Sequence, residues 1–218
     1  MLSDLRSSNL RDLTATALWI GAYVVVVKVT SSIVLVYSDY FPPNFQADFL
    51  IGRETHFWGP YAFAFYIHIV SGPVAIVLGL LLINSHLRIR FASLHRRIGQ
   101  MQILLVSMLV APSGLIMSAF AFSHVARIGF AMLAVFTGLT AILAWKNARS
   151  CKFDRHQMWA LRCFVLLCSA IALRLIGGVS SLLEVDTYAF AAWGSWLVPI
   201  TILEVLRRRK YPQSRSTS

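Results

Sequence analysis

Charge is what this sequence has least of. Asp, Glu, Lys and Arg together make up 13% of 218 residues, where a soluble domain carries about 25%. Acids are scarcer still, nine against twenty Lys and Arg, for a net charge of +11. Cysteine is limited to Cys151, Cys163 and Cys168, with no CxxC spacing. That spacing excludes a disulfide framework or a cysteine zinc site. Also missing are a Gly-rich phosphate loop, an HExxH motif and any Ser/His/Asp or Cys/His constellation, so hydrolytic chemistry is disfavoured. No basic patch is interleaved with exposed aromatics, and nucleic acid is therefore not a partner.

Apolar residues fill the space left by charge. They are 57% of the chain, and the mean hydropathy is +0.67. Six apolar segments are readable, at about 13–37, 60–83, 101–123, 125–145, 157–182 and 189–206. Each is near the ~20 residues that cross a bilayer. Backbone polar groups cannot go unpaired in lipid, so the spans are expected to be helices. The fold class is an all-α integral membrane protein, a six-transmembrane-helix bundle in one membrane domain. The first run is too long for a signal-peptide core and reads as a retained span.

The charges sort by side. Arg6 and Arg11, the loop with Arg88, Arg90, Arg96 and Arg97, and the loop with Lys146, Arg149, Lys152 and Arg155 share one face with Arg207–Lys210 and Arg215. The opposite face has Arg53 and Arg127 beside Asp39, Asp48, Glu54, Glu184 and Asp186. Positive residues mark the cytoplasmic side, so both termini are expected there, with 207–218 a basic tail. The stretch 38–59, aromatic and carrying Pro42-Pro43, reads as a connecting loop with an interfacial belt. Pro73, Pro112 and Pro199 should kink their spans.

Charged groups inside a membrane are functional candidates. Lys28, His68 and Arg174 fall in the half away from the basic loops, and Arg162 and Glu204 near the basic face. Arg162 and Glu204 can neutralise one another, and Arg162 also counts as a candidate cofactor-binding residue. Lys28 and Arg174 have no carboxylate at their depth. They can meet haem propionates, a lipid phosphate or a quinone carbonyl, or else snorkel to the surface.

Six histidines divide by side: His56, His68 and His124 on one, His86, His95 and His156 on the other. Imidazole is a good ligand for haem iron. Pairing His68 with His124 and His95 with His156 would place two haem b sites across the membrane. Transmembrane electron transfer is then the leading function. A small transporter or lipid- or anion-binding protein is the alternative, and a non-catalytic assembly subunit a third.

The motifs also point to a family. His68-Ile69-Val70-Ser71-Gly72 precedes His95-Arg96-Arg97-Ile98-Gly99, and His156-Gln157-Met158-Trp159-Ala160-Leu161-Arg162 leads to Arg174. Over residues 60 to 182 the chain resembles the domain-of-unknown-function 2306 family of bacterial predicted membrane proteins. That family's last motif tends to read His-Arg-x-Trp-Met-x-Arg, from which Gln157, Met158 and Ala160 depart. The resemblance implies a multi-span bacterial membrane protein, expected in the inner membrane and in contact with the lipid bilayer; the unpaired cations, read from the residues themselves, point to a quinone, an anionic lipid or another membrane subunit as partner. It implies no established reaction. At fold level the arrangement is similar to di-haem b561-type membrane cytochromes.

Overall fold

The computed structural model describes residues 20–47 and 49–210. The chain divides into two units, at Asn44 and Phe45. The described part of the first is α1, Ile20–Asp39, which closes in a 3-10 turn over Val36–Asp39. A tight turn follows, with a cis peptide at Phe41-Pro42 and the Asn44 amide donating to the Asp39 carbonyl at 2.8 Å.

The second unit is helical throughout. It contains α2 (Pro60–Ile83), α3 (Ser85–Arg90) and α4 (Ala92–Leu105). A π-helical turn, Val106–Val110, joins α4 to α5 (Ala111–Ser118). Then come α6 (His124–Arg149), α7 (Phe153–Leu167), α8 (Ser169–Leu183) and α9 (Tyr188–Lys210). With α1, six helices among the described residues are long and apolar enough to cross a membrane. The all-α, six-span expectation is met.

Boundaries moved in four places. The third span starts at Ala92, because the basic stretch after Phe91 is itself helical, and it ends at Ser118. Its π turn has a cause. Pro112 lacks an N–H and crowds the preceding turn, so the backbone shifts register before it. The fifth span runs from Phe153 to Leu183 and is broken at Cys168, where the Ile171 amide takes a short-range bond to the Cys168 carbonyl. The last helix continues to Lys210, so the expected tail is helical over its first four residues.

The stretch after the first span corrects the loop expectation most. Residues 49–59 fold into a cap. Leu50, Phe57, Tyr61 and Phe65 are almost fully buried. Phe57 packs edge-on against Phe65 and Tyr61, and Phe49 stacks on Phe65 at 5.7 Å. Arg53 is 6% exposed in the middle of this cluster. Its Nε donates to the Phe49 carbonyl at 3.1 Å and its Nη1 to the Phe120 carbonyl at 3.2 Å, while the guanidinium lies 4.4 Å from the Phe122 ring centre. Arg127 Nε donates to the Ala121 carbonyl at 2.9 Å. The two arginines of the sparsely basic face therefore hold the carbonyls of the short turn between α5 and α6. At the cap's end Gly59, at φ +95°, reverses the chain into Pro60, the first residue of α2.

Helix α6 packs against α5, α7 and α9. Small residues let it do so: a Cβ on Gly129 would stand 3.0 Å from the Ala192 carbonyl, and one on Gly138 would stand 3.1 Å from the Ala111 methyl. Thr137 and Thr140 donate back to the carbonyls of Leu133 and Phe136, which keeps their hydroxyls satisfied in an apolar setting.

Two outcomes follow. Gly129→Ala must displace the α9 backbone and should lose about 1–3 kcal/mol, whereas Gly177→Ala, with nothing within 4 Å, should not lower the unfolding midpoint in detergent. Cys151 is exposed in the turn between α6 and α7. An impermeant maleimide should label it in inside-out vesicles and not in intact cells; labelling from the outside would reverse the expected orientation.

Candidate functional site

The end of the bundle carrying the α2–α3 and α6–α7 turns is the basic end. Asn84 builds it. Its side chain accepts from the amides of His86 and Leu87 and so caps α3, which turns the chain aside and presents Arg88 and Arg90. After Phe91 the chain re-enters the bundle as α4, with His95 in its first turn. His156 occupies the first turn of α7, at the same end.

The two imidazoles share this end of the bundle. His156 and Arg88 are the electrostatic neighbours of His95. His156 Nδ1 lies 2.9 Å from the Ala144 carbonyl oxygen. A carbonyl only accepts, so Nδ1 carries the hydrogen and Nε2 keeps a free lone pair. His95 is half-buried, and its Nδ1 is shielded with no hydrogen-bond partner among the described residues. Each ring thus has one nitrogen not committed to the protein.

The bundle closes above this pair. Gln102 lies two turns beyond His95 on α4; its Nε2 donates to the Ala75 carbonyl at 3.0 Å. Its Oε1 is buried without a partner. The Phe164 ring fills the notch at Gly79, where a Cβ would be 2.5 Å away.

The other expected histidine pair is not assembled. His68 Nδ1 is 3.0 Å from Ser113 Oγ. That hydroxyl donates its one hydrogen to the carbonyls of Leu109 and Val110, at 2.5 and 3.1 Å, and so accepts from His68. Gly114 leaves room for the ring: a Cβ there would meet His68 Cε1 at 3.2 Å and the Ala134 methyl at 3.6 Å. His68 therefore sits at the level of Ala134. His124 begins α6 directly after its cap, Ser123, and is exposed. The ten residues between it and Ala134 put it about 15 Å along the helix from His68.

The cations divide as well. Arg162 is committed to Glu204 in a bidentate pair, Nε to Oε1 at 2.6 Å and Nη2 to Oε2 at 2.9 Å, with its guanidinium 4.5 Å from the Trp159 ring centre. Both arms of its carboxylate-binding fork are thus occupied within the chain. Arg174 is exposed on α8, away from the pair. Lys28 is exposed on α1, in the separate first unit. Among the described residues no three His, Cys, Asp or Glu gather as a metal site.

Sequence reasoning missed Arg53, Gln102 and Ser113. Gln102 had a visible signal, an amide inside an apolar run. Arg53 had only its aromatic neighbours in sequence.

A family model described as "Predicted membrane protein (DUF2306)" matches residues 65–206. The match takes in α9, which the motif resemblance left out. No curated protein and no solved structure matches the chain.

The Arg162–Glu204 pair yields a stability test. Glu204→Gln should cost about 1–3 kcal/mol, between the values for exposed and buried pairs, read as a lower unfolding midpoint. Exchanging the two residues, Arg162→Glu with Glu204→Arg, should recover most of it, since the attraction is retained.

Proposed function

Because the chain belongs to the DUF2306 family of predicted membrane proteins, whose description states no reaction, we propose a function from its own residues: a one-electron carrier of the membrane that binds a single haem b through His95 and His156. The observation that carries this reading is the placement of those two rings in helix first turns at one end of the bundle, within electrostatic reach of one another and each with an uncommitted nitrogen. A pair of imidazoles is the donor set of a b-type haem, and two histidines alone are too few for a protein-bound zinc or copper site. The group, when bound, supplies reversible one-electron chemistry.

The surrounding residues suit the role. The hydrogen bond from His156 to the Ala144 carbonyl fixes the ring's orientation and raises its basicity as a ligand. Gly99, one turn beyond His95, has only Leu82 near its Cβ position, at 3.9 Å, so a flat group meets little obstruction there. Arg88, Arg96 and Arg97 stand at the same end as partners for propionate carboxylates. Gln102 and Phe164 close the bundle and exclude water from the inner side of the pair.

A single pair narrows the function. With His68 turned to Ser113 and His124 exposed, the second haem of a transmembrane relay has no ligands in this arrangement. Exchange would then occur at the basic end. By the positive-inside rule that is the cytoplasmic face of the bacterial inner membrane.

The test is a visible spectrum of the full chain purified in mild detergent after expression with ample haem. We expect a Soret band that shifts on reduction with dithionite. His95→Ala and His156→Ala should abolish it, and His68→Ala and His124→Ala should keep it. A featureless spectrum from folded, haem-replete protein would overturn the reading. Loss of half the haem in His68→Ala would restore the two-site alternative.

A further inference from the structure

We propose that the exposed face of α8 centred on Arg174 is the docking surface for a transmembrane helix of a different protein, one carrying an Asp or Glu at the depth of Arg174. The proposal is independent of the haem reading and concerns the other half of the bundle.

Arg174 lies within the span Phe153–Leu183. At 1.5 Å per residue it is about 31 Å from the start of that span and about 13 Å from its end. It is exposed, and no hydrogen bond or ion pair reaches it among the described residues. A charge in that position is costly unless paired. Snorkelling is a poor remedy here. Helical side chains lean toward the helix N-terminus, and in α8 that direction leads away from the nearer surface.

Among the described residues the spans offer no acid at that depth. Glu204 is held by Arg162 at the basic end. Asp186 caps α9 by accepting from the Tyr188 amide, and Glu184 ends α8 in the left-handed conformation. Both lie at least ten residues past Arg174, about 15 Å along the chain. The first span has Lys28 and no carboxylate before Asp39 at its end. A second copy in the same orientation is disfavoured on the same ground, because it would bring another Arg174 to that depth and, among the described residues, no acid.

The surface around the charge is shaped for a helix. Gly177, Gly178 and Ser181 follow Arg174 at i+3, i+4 and i+7 and so share its face. All are exposed, and nothing lies within 4 Å of either glycine's Cβ position. Small residues at that spacing admit a close helix–helix approach. Within the second unit, α8 packs chiefly on α9 and leaves this side uncovered.

The experiment places a photo-crosslinking residue at Leu175 or Leu182, which flank the face along one edge, in the full chain in its native membrane. Leu104, exposed on α4, is the control site. The expected result is a protein adduct at both flanking sites and not at the control. Mass spectrometry should identify a partner with an Asp or Glu inside a span. Arg174→Leu and Arg174→Glu should each lower the yield at least about tenfold. Placing Arg at the partner's acid should restore it in the Arg174→Glu chain. Gly178→Leu, which keeps the charge and fills the face, should also lower it. Adducts with phospholipid alone, with a second copy, or with a protein whose yield ignores Arg174→Leu would overturn the proposal.

Discussion

Lipid offers no hydrogen bonds, so every backbone carbonyl and amide in the spans must find its partner within the protein. Much of the bundle's detail follows from the places where helical bonding alone fails to meet that demand. Pro112 brings no N–H to the third span. The chain shifts register there through the π turn at Val106–Val110, and two hydroxyls beside it turn back on their own helix, Ser107 donating to the Ile103 carbonyl and Ser113 to those of Leu109 and Val110. Ser113 has then used its only hydrogen, and its oxygen can only accept. That fixes which nitrogen of His68 carries a proton. A hydroxyl turned to its own helix thus sets the chemistry of a side chain on a neighbouring one.

The same demand shapes the aromatic end. The turn between α5 and α6 is too short to satisfy itself. Arg53 and Arg127 reach its carbonyls, and Tyr188 receives the Phe122 amide. An arginine buried with no carboxylate beside it among the described residues would ordinarily be a liability. Arg53 is instead surrounded by ring faces, which attract a cation and replace part of its hydration. The aromatic residues of 45–61 therefore fold inward around a charge. Counting charges by side finds Arg53 but cannot show that it is the centre of a core.

Much of the architecture was legible in the sequence, because span length and charge asymmetry are one-dimensional signals. The pairing of Arg162 with Glu204 was legible as well, since both are lone charges at one depth. Azimuth was not. Grouping the histidines by side put His68 with His124, yet one sits deep in α2 facing Ser113 and the other begins α6 in solvent. Depth also misleads across a π turn, which rotates everything after Val106 by about a residue relative to α4. His95 and His156 were readable because both fall in the first turn of a helix that leaves the same basic end. The break at Cys168 left no trace, since neither proline nor glycine marks it.

These features divide the bundle into two halves of different character. At the basic end, opposite charges meet and both histidines have defined surroundings; what is left over there is a pair of ring nitrogens and the Gln102 carbonyl oxygen. In the other half of the second unit the leftover is a cation, Arg174, on a helix that packs chiefly on α9. If a haem is held at the basic end alone, an electron that arrives there has no second ligand pair by which to cross about 30 Å of hydrocarbon. It must either leave by the face it entered or pass to another protein. A surface that demands an acidic partner helix is what such a carrier would need. The residues that make the chain look incomplete as a relay then belong with those that make it look incomplete as a monomer.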